Sequence, residues 1–104
     1  MIQVHLVMVR VPTPQGFAQT NMDRAGTYLN PARIDTVTPI ETEEVRRTDH
    51  LPPVVNCVIR YDDPACGYRL MYVRNTAHEV ARARRREILG EDSDTPDWTS
   101  GSSA

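Results

Sequence analysis

Residues 54–61 and 67–74 form two strand-like runs rich in valine, isoleucine, tyrosine and methionine. They flank the turn-forming stretch Asp62-Asp63-Pro64-Ala65-Cys66-Gly67. The second run leads into Thr76-Ala77-His78-Glu79, where a threonine precedes a glutamate by three positions. That is the spacing of a capping box opening a helix. A hairpin followed by a helix restricts the chain to a small mixed architecture whose helix lies near the C-terminus. It says nothing about an activity, and no catalytic signature accompanies it.

The chain has 104 residues, which suits one domain. Residues 1–90 are expected to make a single α+β domain. Residues 91–104 are expected to be a disordered tail, acidic over Glu91-Asp92-Ser93-Asp94-Thr95-Pro96-Asp97 and then rich in serine and glycine. A folded part of this size buries roughly 60–65% of its unfolded surface, enough for one modest core. With only 6% aromatic residues that core is mainly aliphatic.

The net charge of −2 disfavours a general binder of nucleic acid or membrane, since both are anionic. All twelve basic residues are arginine. GC-rich codon usage accounts for that and points to a genome such as that of an actinobacterium or one of its phages. Selection for bidentate guanidinium binding is the functional alternative. Cys57 and Cys66 do not make a disulfide framework and read as free thiols in a reducing cytoplasm.

The N-terminal ten residues are too short for a membrane span and lack a basic leader region, so they read as a strand. Ile2, Val4, Leu6 and Met8 share one face at period two. Val7, Val9 and Val11 make the other face apolar too, which suits a central strand. Pro12-Thr13-Pro14-Gln15-Gly16 breaks it, 17–24 reads as polar loop, and 26–29 as a short strand. Asn30 caps a single turn with Pro31 at its first position. Residues 35–41 are extended with Val37 inward, and 42–53 read as a mobile charged loop.

If the hairpin turns between Pro64 and Ala65, Cys57 faces Tyr72. Cys57, Ile59 and Tyr61 then share the core face with Tyr68, Leu70 and Tyr72. The opposite face carries Val58, Arg60, Arg69, Met71 and Val73. It is either an ordinary sheet surface, a second packed layer, or a contact patch for a partner. On the helix, Ala77, Val80, Ala81 and Ile88 form one stripe with Arg84 in its middle. Either the last turn projects, or Arg84 lays its stem along the sheet. Arg82, Arg85 and Arg86 complement the helix dipole and are the candidate nucleic-acid residues.

No metal site is expected, because His5, His50, His78, Cys57 and Cys66 lack ligand spacing, and no cofactor is implied. Residues 67–73 lack two features of an RNA-recognition strand: the small residue after the tyrosine and the next aromatic.

The order Met1-Ile2, Tyr28-Leu29-Asn30-Pro31-Ala32-Arg33-Ile34-Asp35-Thr36-Val37-Thr38-Pro39, then 57–61, 68–73 and Thr76-Ala77-His78-Glu79-Val80 resembles the FlbD family. These are small proteins encoded with flagellar operons, and similar short chains occur in phages. The chain departs from that pattern in its long 41–53 segment, its longer first hairpin connection and its arginine-rich helix end. The resemblance implies a β-rich module that works through contacts and has no catalytic residues to carry over.

The resulting expectation is a small twisted antiparallel sheet of four to five strands with one C-terminal helix and a disordered tail. Its expected role is that of a non-enzymatic accessory or regulatory protein in the cytoplasm, off the membrane, acting on a protein partner and able to form a homodimer. The alternative is a nucleic-acid binder using the arginine-rich helix.

Overall fold

The computed structural model describes residues 1–89. The expected tail at 91–104 lies outside them. Five strands form one antiparallel sheet: β1 (Ile2–Thr13), β2 (Gly16–Leu29), β3 (Ile34–Pro39), β4 (Cys57–Asp63) and β5 (Gly67–Val73). Their spatial order is β2-β1-β5-β4-β3. Two α-helices accompany them, α1 (Glu43–Thr48) and α2 (Ala77–Leu89). The fold is α+β, as the sequence predicts, and β1 is an interior strand.

The sheet is packed on both faces. On one, α2 covers a cluster that includes Val4, Leu6, Val9, Cys57, Ile59, Met71 and Val73, with Val80 as the buried residue of the helix. Burying one valine contributes about 1.5–3 kcal/mol. The other face carries Val7, Met8 and Tyr72, covered by Leu51 and Val55 with Ile40 beside them. Residues 40–55 are therefore the second packed layer rather than a mobile loop.

Their order has a local cause. Thr42 accepts a hydrogen bond from the Val45 amide at 3.1 Å, and Glu43 and Glu44 sit in the positive first turn of α1. The helix ends with His50 at φ 56°, its amide bonded to the Arg47 carbonyl and that of Leu51 to the Arg46 carbonyl. This Schellman pattern turns the chain so that Leu51 enters the core.

Two one-residue effects decide which side chains face which layer. In β1, Leu6 pairs with Val73 but Met8 pairs with Tyr72, so Val7 is an extra residue. This bulge breaks the period of two. Val9 and Val11 join Ile2, Val4 and Leu6 under α2, while Met8 faces the second layer. The expected assignment of Met8, Val9 and Val11 is thus reversed.

In the β4–β5 hairpin, Asp63 pairs with Gly67, leaving a three-residue loop centred on Ala65. The Asp63 side chain accepts from the Ala65 amide at 2.9 Å, and Gly67 takes φ 92°, which glycine adopts without strain. The turn therefore shifts the ladder by one residue from the expected register. Cys57 pairs with Val73, not Tyr72, and a one-residue slip moves every side chain of β5 to the other face.

The capping box of α2 forms as expected. Thr76 Oγ1 accepts from the Glu79 amide at 3.1 Å, and Glu79 Oε1 accepts from the Thr76 amide at 2.8 Å. Arg84 stays half-buried in the apolar stripe, where its guanidinium donates to the Ile34 carbonyl at 3.3 Å. Its buried Nε has no hydrogen-bond partner among the described residues. The final turn projects, leaving Ile88 and Leu89 exposed, so Ile88 does not extend the buried stripe. Glu87 meets the N-terminal amine of Met1.

Candidate contact surface

The face predicted for a partner does not exist as one surface. Met71 and Val73 are buried in the core beneath α2, because the register slip turned them inward. Arg69 shares their face, at the turn end of β5, and is half-buried against the Asp63 carboxylate. That hydrogen bond, helped by the Ala65 amide, holds the Asp63 carboxyl below the usual range. Val58 and Arg60 lie on the other face. Val58 packs with the second layer. Arg60 sits over the Tyr68 ring at 3.9 Å from its centroid and pairs with Asp35 at 3.1 Å.

The helix arginines lie on α2. Arg82 and Arg85 are exposed and Arg86 is partly covered. None of the three makes an ion pair among the described residues.

The largest feature that sequence reasoning missed is the first part of β2, before the expected strand at 26–29. Residues 17–24, expected to be loop, belong to one 14-residue strand at the sheet margin. Phe17, Met22 and Tyr28 are exposed on it at 52%, 41% and 63%. Its outer edge offers unpaired backbone groups, the usual template for another chain. The opposite margin, β3, has only six residues, ends at Pro39, and follows the short 3-10 turn Pro31–Arg33 capped by Asn30. Proline and brevity blunt that edge, whereas β2 contains no proline. A hint of β2 was present in the sequence: Pro14-Gln15-Gly16 right after a strand can close a tight hairpin as readily as end a strand.

The middle of β2 is irregular. Its register against β1 shifts between Thr27 and Arg24 and again between Arg24 and Asn21. Asp23 adopts φ 52° there and contacts His5 Nε2 at 2.6 Å. That contact lowers the Asp23 carboxyl below its ordinary value. Arg10 ties the β1–β2 arm to the second layer, donating to the Asp49 carbonyl at 2.6 Å and lying 5.0 Å from the Tyr72 ring centroid.

Both cysteines are free. Burial pushes the Cys57 thiol up to about 12, and burial also raises that of Cys66. Among the described residues no three of His, Cys, Asp and Glu gather closely enough to hold a metal ion, and no helix is long and apolar enough to cross a membrane. A groove of about 630 Å³ is lined by Glu43, Arg46, Arg47, His50, Leu51 and Pro53. Arg46 is committed there to its own loop, donating to the carbonyls of Pro52, Pro53 and Val55.

No protein-family model, no curated protein and no solved structure matches the chain.

Proposed function

We propose that this chain is a non-enzymatic accessory or regulatory module that acts by protein–protein contact, and that the contact is made along β2. The supporting observation is a fourteen-residue sheet edge carrying exposed Phe17, Met22 and Tyr28 without the proline that closes the opposite edge. The FlbD-like pattern supports the same class of role. The free thiols support a reducing cytoplasm. The all-arginine composition supports a GC-rich bacterial or phage origin.

A second reading, nucleic-acid binding, draws on exposed Arg82 and Arg85 with Arg86 beside them on α2. Affinity capture from an extract of the source cells separates the two. Contact through β2 predicts that Phe17→Glu loses the captured protein while Arg85→Ala retains it. Nucleic-acid binding predicts the reverse, with strong salt dependence.

A further inference from the structure

We infer that β2 pairs antiparallel with β2 of a second copy of this chain, joining two five-stranded sheets edge to edge about a two-fold axis. The inference rests on the reading of β2 as a contact edge and names its occupant.

A two-fold antiparallel contact requires a strand complementary to itself. Only one register uses all of β2, that in which Gly16 lies opposite Leu29 of the second copy and the axis passes between Met22 and Asp23. This register sets Phe17 opposite Tyr28 of the other copy, and does so twice. The two rings are on compatible faces. Phe17 pairs with Pro12 and Tyr28 with Gln3 across the β1–β2 ladder. Ile2, Val4, Val9 and Val11 point toward α2. Gln3 and Pro12, next to them in the strand, therefore point to the opposite face, and directly paired residues share a face. With the axis perpendicular to the sheet, both aromatic residues lie on the same side of the joined sheet.

The faces of the paired residues exclude the neighbouring registers. Asp23 and Arg24 are the charged residues of β2. They sit beside the axis on opposite faces, Arg24 across from Leu6 on the α2 side and Asp23 against His5 on the other, so they do not pair with each other across it. Moving the register by one residue sets Phe17 opposite Leu29 or Thr27, both on the α2 face, and in the first case also sets Asp23 against Asp23. Moving it by two sets Phe17 opposite Asn30, beyond the strand, or opposite Gly26, which has no side chain. The irregular middle of β2 falls on the axis, and the regular ends, 16–18 and 27–29, meet each other.

Sedimentation equilibrium on the full chain tests the inference. The wild type is expected to dimerise with a dissociation constant on the order of micromolar, as small interfaces do. Phe17→Glu is expected to weaken the dimer about tenfold, since two symmetric cross-strand pairs are lost. Adding Tyr28→Lys is expected to restore it, because the carboxylate introduced at position 17 then faces the ammonium introduced at position 28 of the other copy. Both positions are exposed, and circular dichroism checks that the variants fold. A wild type that stays monomeric at several hundred micromolar overturns the second copy as occupant. The contact reading is then judged separately by the capture experiment. A dimer indifferent to Phe17→Glu, or not restored by the second substitution, overturns this edge and register.

Discussion

Thr76 does more for this fold than its exposure suggests. Its hydroxyl and amide both engage Glu79, closing the first turn of α2, the helix that covers the larger core cluster. The Thr76 amide is also the main reason the Glu79 carboxyl titrates below its ordinary value. Thr76→Ala is expected to cost about 1 kcal/mol, read from urea unfolding at neutral pH. Asp63 plays a comparable part in the β4–β5 turn. Its folded-state pKa is lowered, chiefly by Arg69. The stabilisation is therefore fully present above the unfolded value of about 4 and is lost as pH falls through the lower folded value. Thermal melts across the acid range should fall less steeply with pH in Asp63→Asn than in the wild type. Identical acid slopes would mean that the Arg69 pair does not persist in solution.

At the scale of elements, the β4–β5–α2 unit was legible because its signals are local: a turn cluster between β-rich runs, then a capping box. Its register was not. Composition marks where a turn lies but not whether it holds two residues or three, and Gly67 in the left-handed region selects three. That single residue decides whether Met71 and Val73 are surface or core. The bulge at Val7 was hidden for a related reason, since β1 is apolar on both faces there and no alternation marks a slip. Of β2 only the end at 26–29 was legible, because an edge exposed on both faces needs no apolar period. The six-residue α1 has one apolar residue, Val45, and is held by its caps and by Arg46 instead. Arg46→Ala is expected to leave the Pro52, Pro53 and Val55 carbonyls short of a donor and to cost about 1–3 kcal/mol. Hydrogen exchange should quicken over 51–56, loosening the second layer before α2. At the other end, a chain cut after Gly90 is expected to keep its melting temperature, because the described core lies within 1–89. If Arg82, Arg85 and Arg86 bind nucleic acid, removing the acids at 91–97 should tighten that binding several-fold at low salt, because exposed ion pairs are weak and screened. Absence of binding by either form at about 50 mM salt would return the arginines to the role of a solvated helix end.

At the scale of the whole molecule, a single sheet is covered on one face by α2 and on the other by residues 40–55, so its large apolar surfaces are already used. What remains open is a margin. β3 is short and ends in proline, whereas β2 runs fourteen residues with its aromatic side chains in solvent. Association through such a margin adds backbone hydrogen bonds without disturbing either layer, so substitutions at Phe17 should change binding while moving stability by no more than about 0.5 kcal/mol. Amide hydrogen exchange along the chain, recorded at low and at high protein concentration, tests this most directly. We expect the amides of 16–18 and 27–29 to slow as concentration rises, while those of β3 stay unchanged. Exchange along β2 that is independent of concentration, or slowing confined to β3 or α2, would contradict it.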